Sequence, residues 1–228
     1  ELLSGHPLIA YSIAAAKLSL KIDRIIVSTD SEYYSEIALK YGAEVPFIRP
    51  KKFASDSSTD HDFLVHAMEW FHKNESSLPE HWVHLRPTTP LRSPLVLDEA
   101  ISLIISDENS TSLRSGHKAP ESPFKWFSMD ENGYFKGLID SGMGGKEVYN
   151  LPKESFGDVY IPDGYVDVLK ASYIMRNIST HGNNMIGFQS PVCSEIDSIE
   201  EFEYIQYLLS KNGSLLLEYL DKLIIEKV

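Results

Sequence analysis

The sequence has very little cysteine, since Cys193 is the single thiol among 228 residues. One cysteine cannot form an internal disulfide, which excludes a disulfide-stabilised fold and fits a reducing compartment. No apolar run of about 18 residues occurs, and no basic-then-apolar leader opens the chain. We therefore expect a soluble cytoplasmic protein that does not contact a membrane.

Several catalytic and metal-binding motifs are also missing. The eight histidines show no metal-ligand spacing, and neither His-Glu-x-x-His nor Cys-x-x-Cys occurs. Gly-x-Ser-x-Gly, the Walker loop and Gly-x-Gly-x-x-Gly are absent too. These absences argue against a zinc site, a catalytic triad and the two best-known phosphate-binding loops.

Positive charge is scarce, with 21 Lys and Arg against 33 Asp and Glu and a net charge of −12. Nonspecific nucleic-acid binding needs a basic face, so we expect no nucleic-acid partner. An anionic small substrate remains compatible with this composition, because a local basic pocket can lie on an acidic protein.

What the sequence does contain is an alternation of short apolar strands with amphipathic helices. This alternation predicts an α/β fold with a Rossmann-like, mostly parallel sheet flanked by helices. Ligands of such sheets bind beyond the carboxyl ends of the strands. The first part of the pattern predicts helices at 7–20, 32–41, 62–73 and 94–107, and strands at 24–29, 44–48 and 81–85.

The alternation breaks after residue 116. Residues 125–140 are typical of a hairpin that turns at 130–133, and a glycine-rich loop follows from 140 to 158. We interpret 117–162 as a small arm inserted into a core formed by 1–116 and 163–228. The pattern then resumes with strands at 164–170 and 183–188 and helices at 171–177, 198–211 and 214–227.

Two basic loops follow predicted strands. In LRPTTPLR, residues 85–92, Pro87 and Pro90 end a strand, and Arg86 and Arg92 bracket the turn before a helix that Ser93 caps. Guanidinium groups beside a helix N-terminus suit a phosphate or carboxylate. The alternative is that both arginines are solvated or paired with acids. Arg49, which follows the strand at 44–48, is a second candidate anion contact, although a lone loop arginine is more often solvated.

Glu195 and Asp197 lie two residues apart, immediately before a predicted helix. In an extended segment their side chains point to one side, and two carboxylates near bound phosphates can hold Mg²⁺. The alternative is that these acids only stabilise the helix N-terminus.

The segments 24–70, 85–101, 122–127 (SPFKWF), 160–169 (YIPDGYVDVL) and 195–203 (EIDSIEEFE) resemble, in this order, the acylneuraminate cytidylyltransferases. The resemblance implies a nucleotide-diphospho-sugar transferase type of fold with a dimerisation arm. It implies a cytoplasmic homodimer that joins CTP and a 2-keto, sialic-acid-like (nonulosonic) sugar acid into a CMP-sugar and pyrophosphate, with Mg²⁺, for surface polysaccharide biosynthesis.

The resemblance also implies roles for individual residues. Glu195 and Asp197 would hold Mg²⁺ and take part in catalysis. Nucleotide contacts would come from the loop that carries Arg49, Asp56, Ser58 and Asp60. Sugar contacts would come from Arg86, Lys125, Lys153, Asp163 and Asp167, the two lysines reaching the sugar carboxylate of the partner subunit.

The sequence also departs from the family pattern. The family begins with a strand and a glycine- and basic-rich loop, and residues 1–10 do not supply it, so we expect the chain to start just after that loop. Asp163, Glu195 and Arg86 stand where the family has asparagine, aspartate and glutamine. Two alternatives therefore stay open: a non-catalytic homologue that acts as a binding or assembly module, and a sister enzyme that activates another sugar acid, such as KDO.

Overall fold

The computed structural model describes residues 2–139 and 147–225. Residues 140–146 of the predicted glycine-rich loop lie outside these ranges. The predicted helices are present, with ends shifted by a few residues and with the one at 171–177 reduced to a single turn. The described helices are α1 Leu8–Leu18, α2 Glu32–Lys40, α3 Asp60–Glu75, α4 Pro94–Ser106, α5 Ala171–Ile174, α6 Ile199–Asn212 and α7 Leu215–Ile225.

Local capping explains where several helices begin. In α3 the side chain of Thr59 accepts from the Asp62 amide while the Asp62 carboxylate accepts from the Thr59 amide, a complete capping box. Ser198 and Glu201 form the same arrangement at α6. These contacts satisfy backbone donors that have no partner inside the helix.

The strands form a mixed four-stranded sheet in the order β3-β7-β4-β8, together with two short hairpins. β7 pairs antiparallel with both β3 and β4, whereas β4 and β8 are parallel. The α/β class is thus confirmed, and the β5-β6 hairpin lies where the turn at 130–133 predicts it. The strands are β1 Leu2–Leu3, β2 His6–Pro7, β3 His81–His84, β4 Ser112–Lys118, β5 Phe127–Met129, β6 Phe135–Gly137, β7 Tyr160–Lys170 and β8 Met185–Gln189.

Residues 24–29 and 44–48, expected to be full strands, are joined by a single parallel bridge between Ile26 and Glu44. Val27 donates to the Glu44 carbonyl at 2.9 Å, and Glu44 donates to the Ile25 carbonyl at 2.8 Å. Pro46 offers no backbone donor, so the ladder cannot extend through the second segment. The two segments are extended and adjacent, but too sparsely paired to count as strands.

The sheet separates two apolar cores. Alternate residues of β7 face opposite sides: Val166 and Val168 join the larger core beneath α1, α4, α6 and α7, whereas Leu169 joins a smaller core with α3 and α5. No helix among the described residues is long and apolar enough to cross a bilayer. The ends of β4 and β7 nearest the hairpin pair through Lys118 and Tyr160, and the division into core and arm stays a prediction.

Candidate active site

The loop after β3 is built around Arg92. Arg92 is 2% exposed, and its guanidinium donates to the backbone carbonyls of Tyr165, Gly164 and Arg86 at 2.5, 2.9 and 2.6 Å. A fourth hydrogen bond, of 2.9 Å, goes to the Ser12 hydroxyl on α1. Burial, the main cause, lowers the pKa of Arg92 to about 10, so it stays charged at neutral pH.

This environment corrects the expectation for Arg92, which is buried rather than exposed to an anion or to solvent and which pairs with no acid among the described residues. All of its described hydrogen bonds go to neutral oxygens of the protein. Arg92 therefore holds the loop 85–92 against β7 and α1.

Arg86, the other arginine of this loop, reaches the site. Its guanidinium donates to Asp167 on β7 at 2.8 Å and to Asp60 at the start of α3 at 2.6 Å. The side chain of Asp167 is 2% exposed, whereas that of Asp60 is 48% exposed. Although burial opposes the charged form, these two carboxylates raise the pKa of Arg86 above its ordinary value. Arg86 and Asp167, predicted to contact the sugar, and Asp60, predicted to contact the nucleotide, therefore lie together here.

The cluster continues across the sheet through residues that the sequence analysis did not single out. Arg114 on β4 lies opposite Asp167, with its Nε 3.7 Å from Asp167 Oδ1 and its Nη1 3.4 Å from His181 Nε2. Burial, with Arg86 next, lowers the pKa of His84 to about 4. Burial also lowers the pKa of His181. Two guanidinium groups and two carboxylates therefore balance one another beside two imidazoles that favour the neutral form.

Glu195 lies at the other end of this arrangement, against Gly164. Gly164 has φ of +59°, and a Cβ there would overlap the Glu195 carboxylate and lie 3.3 Å from Thr89 Oγ1 and 3.5 Å from Arg86 Cδ. The backbone fixes this approach, because Ile196 donates to the Thr88 carbonyl at 2.8 Å. Glycine at 164 thus lets the segment 195–197 close onto the loop 85–92.

Asp197 lies two residues further on and is exposed. Its backbone amide donates to Glu201 Oε2 at 2.8 Å as part of the α6 cap. Within 2–139 and 147–225, no group of three or more histidine, cysteine or acidic side chains is arranged to hold a metal ion. Two carboxylates still fit Mg²⁺, which proteins bind through one or two carboxylates plus substrate phosphates.

Asp163 lies inside the protein, 3% exposed. Its carboxylate accepts from Ser115 at 2.7 Å, from the Tyr165 amide at 3.1 Å and from Ser190, and His117 Nδ1 lies 3.2 Å away. Burial works to raise its pKa, but the bonds from the two serines and the amide outweigh burial and lower it. Contrary to the sequence prediction of a sugar contact, the described contacts make Asp163 an internal anchor of the turn at Gly164.

The predicted nucleotide loop begins at Arg49, whose amide donates to the Thr29 carbonyl at 2.8 Å. The Arg49 guanidinium lies 5.4 Å from the centre of the Phe63 ring, and its Nε is buried with no described partner. Asp56 is exposed, and Ser58 bonds to the Ser55 hydroxyl at 2.9 Å. This loop leads directly into α3 and so to Asp60.

Lys125 and Lys153 lie apart from these residues, between β4 and β7. Lys125 ends one short 3₁₀ turn and Lys153 begins another. The rings of Phe124 and Phe156 stack between the two turns, with their centres 5.2 Å apart. The predicted contact of the two lysines with the sugar carboxylate at the partner's site stays a prediction.

Comparison with known proteins identifies the family. A family model described as cytidylyltransferase matches residues 1–124, more than half of the chain. The chain belongs to the cytidylyltransferase family. The resemblance inferred from LRPTTPLR and the other segments is confirmed.

The chain is also similar to individual curated proteins. This cytidylyltransferase is 28% identical over 212 residues to post-translational flagellin modification protein B of Campylobacter coli, covering 90% of the chain and 85% of that relative. It is 35% identical over 105 residues to a pseudaminic acid cytidylyltransferase of Campylobacter jejuni, covering 46% of the chain. It is 37% identical over 102 residues to an N-acylneuraminate cytidylyltransferase of Escherichia coli, covering 45% of the chain. The chain spans only 45% and 23% of the lengths of these last two relatives.

Solved structures agree on the fold. CMP:2-keto-3-deoxy-manno-octonic acid synthetase complexed with CTP superposes with a TM-score of 0.64 at 13% identity, covering 92% of this chain and 90% of the other. 4-Diphosphocytidyl-2C-methyl-D-erythritol synthase from Anaerococcus prevotii gives a TM-score of 0.61 at 11% identity, covering 92% and 88%. At such low identity these likenesses establish the architecture and leave the substrate open.

Proposed function

We propose that this cytidylyltransferase transfers CMP from CTP to a nonulosonic sugar acid and releases pyrophosphate. The observation that carries the proposal is the meeting of Asp60, Arg86 and Asp167 in one hydrogen-bonded cluster, with Glu195 closing onto the same loop. The names of the Campylobacter and Escherichia relatives support the substrate class.

The reaction requires positioning and charge stabilisation more than a covalent nucleophile. Glu195 and Asp197 would hold Mg²⁺, which neutralises charge on the triphosphate when bound. Arg49 and the loop with Asp56 and Ser58 would contact the nucleotide.

On the sugar side, Arg86 and Asp167 would contact the sugar acid. Both carboxylates of the cluster engage Arg86. Because Asp60 is the more exposed of the two, an anionic ligand can displace it from Arg86 at little cost, while the buried Asp167 keeps the guanidinium oriented.

We also propose a homodimer. The β5-β6 hairpin exposes large apolar side chains, with Met129 65%, Tyr134 70% and Phe135 70% exposed. A patch of exposed apolar side chains is typical of an interaction surface. Sedimentation equilibrium should give twice the chain mass of 25.8 kDa, and a monomer at assay concentrations would contradict the dimer.

The test of the activity uses the complete polypeptide with CTP, Mg²⁺ and a panel of sialic, pseudaminic and legionaminic acids and KDO. Pyrophosphate release and the mass of the CMP-sugar are measured together. We expect turnover with a nonulosonic acid. Turnover with KDO alone would favour the sister enzyme, and no pyrophosphate with any acid would favour the non-catalytic homologue.

Asp197→Asn separates a metal ligand from a structural acid. We expect turnover to fall by at least about 10- to 100-fold, since even an outer-sphere partner of a metal has that effect. Stability should change by less than about 0.5 kcal/mol, as for other exposed positions. Glu200→Gln, an exposed acid three residues away, is the matched control. Equal loss of turnover and stability in Asp197→Asn would contradict a role in metal binding.

A further inference from the structure

Arg114 of β4 stands in a row of residues that crosses the sheet. The strand registers place it between Asp167 of β7 and Gly187 of β8, with His84 of β3 at the far end of the row. Residues opposite one another on neighbouring strands present their side chains on the same face of a sheet. Arg114 therefore has Asp167 on one flank, and on the other flank it has a residue without a side chain.

Gly187 leaves open space next to Arg114. In the described part of the chain, a Cβ added at residue 187 would meet no atom within 4 Å. Gly187 is exposed, and β8 is an outer strand of the sheet. The side chain of Arg114 is itself 33% exposed. Its guanidinium therefore borders a space that is open to solvent and that a ligand can enter.

The hydrogen bonds of His181 determine which of its ring atoms faces Arg114. The Ser112 hydroxyl donates its one proton to the His181 carbonyl at 2.9 Å and lies 3.2 Å from His181 Nδ1. Nδ1 must then carry a proton and donate to this hydroxyl, which leaves Nε2 as the acceptor for Arg114 Nη1 at 3.4 Å. In this tautomer the imidazole is neutral, so it orients the guanidinium without compensating its charge.

The charge of Arg114 is compensated less than that of Arg86. Its Nε lies 3.7 Å from Asp167 Oδ1, and that oxygen is buried without a hydrogen bond in the described part of the chain. The other oxygen of Asp167 accepts from Arg86 at 2.8 Å. No second carboxylate among the described residues forms an ion pair with Arg114. Arg114 thus keeps guanidinium donors free for an acceptor outside the chain, and such bonds are strongest to a negatively charged acceptor.

We propose that Arg114 binds the carboxylate of the sugar acid in the space beside Gly187 and so selects acids over uncharged sugars. This inference rests on the proposed function, which supplies the sugar acid. The sugar carboxylate fits better than the triphosphate of CTP, because Arg114 shares Asp167 with Arg86 on the sugar side of the site. A carboxylate accepts several hydrogen bonds at once, so a contact with Arg114 is compatible with a further contact from a lysine.

The test measures how strongly the protein prefers a carboxylate to a neutral group at the same position of the ligand. The probes are the panel acid that is turned over, or N-acetylneuraminic acid if none is, and the methyl ester of the same acid. Ligand-observed NMR titration gives both dissociation constants without turnover, and CTP is titrated in the same way. We expect the unchanged protein to bind the acid at least about 10-fold more tightly than the ester, the factor for one charge-assisted hydrogen bond. Arg114→Gln should lose this preference and bind CTP as before.

Three further variants separate charge, space and fold. Arg114→Lys keeps the charge and should keep part of the preference, whereas Arg176→Gln, at an exposed position, should keep all of it. Gly187→Leu tests the space without touching the charge. Its Cβ meets no neighbour, so urea unfolding should show an unchanged fold, but the added side chain occupies the space beside Arg114. It should weaken binding of the acid as much as Arg114→Gln does.

An unchanged preference for the acid in Arg114→Gln would overturn the proposal and leave the proposed function intact. A loss confined to CTP binding would also overturn it, because Arg114 would then belong to the nucleotide side of the site. If Arg114→Gln does not fold, undiminished binding of the acid by Gly187→Leu would overturn the proposal. No binding of the acid by the unchanged protein would overturn it together with the proposed function.

Discussion

Replacing Arg92 with methionine should destabilise the protein far more than replacing an exposed arginine. Arg92 makes four hydrogen bonds, to the carbonyls of Tyr165, Gly164 and Arg86 and to the Ser12 hydroxyl. Hydrogen bonds to a charged group contribute about 1.5–3 kcal/mol each, so the four amount to about 6–12 kcal/mol. The four bonds share one guanidinium and are not additive, so this sum is an upper bound. The net loss should be about 3–5 kcal/mol, the range for breaking a buried charged network.

Urea unfolding at neutral pH measures this loss. A thermal scan should show the midpoint falling by about 10 °C, since a chain of this size loses roughly 2–4 °C per kcal/mol. Arg92→Lys should also destabilise, because an ammonium group cannot donate along the three directions of the planar fork. Arg176→Met, at an exposed position, is the control and should change stability by less than about 0.5 kcal/mol. A loss below about 1 kcal/mol for Arg92→Met would refute the role assigned to the guanidinium.

Two further predictions concern the turn at 163–164. The folded pKa of Asp163 is lowered, so its stabilising contribution is present above the unfolded pKa of about 3.9 and is lost as pH falls through the folded value. Asp163→Asn should therefore be less stable than the unchanged protein at pH 7 and should lose less stability when the pH is lowered. Urea unfolding of both proteins at pH 7 and at acidic pH measures this difference. An acid dependence that is the same in both proteins would contradict the prediction. Gly164→Ala should lose about 1–3 kcal/mol from the left-handed φ and raise the Mg²⁺ concentration needed for half-maximal turnover. Gly157→Ala, where a Cβ meets nothing within 4 Å, is its control, and equal effects of the two would exclude a specific clash with Glu195.

The parts of the fold that depend on neighbouring residues could be predicted from the sequence. Thr59 and Asp62 cap α3 through contacts three residues apart, and the turn at 130–133 closes its hairpin locally. β4 was not predicted, because SLRSGHK has no apolar alternation. Its buried positions include Ser112 and Ser115, whose hydroxyls bond to His181 and Asp163. A polar strand of this kind can be identified only when its distant partners are known.

The site shows the same division between local and long-range information. The motif LRPTTPLR places two arginines beside a strand end, and the family resemblance points to Asp60 and Asp167. The Arg86–Asp167 bond spans 81 positions and depends on the pairing of β3 with β7. Arg114 joins the cluster because the register of β4 on β7 places it opposite Asp167. No local pattern contains these registers, so neither Arg114 nor His181 could be assigned in advance.

The two arginines of LRPTTPLR differ in function because of what surrounds each guanidinium. The described hydrogen bonds of Arg92 go only to neutral oxygens, and the residue is almost fully buried. Its charge is therefore stabilised inside the protein and is not accessible to a ligand. Arg86 meets two carboxylates, one buried and one about half exposed, and is itself one-quarter exposed. Since Arg92 bonds to the Arg86 carbonyl, the buried arginine fixes the backbone from which the accessible one reaches out. Under the proposed function, a change at Arg92 should therefore weaken sugar-acid binding through the position of Arg86.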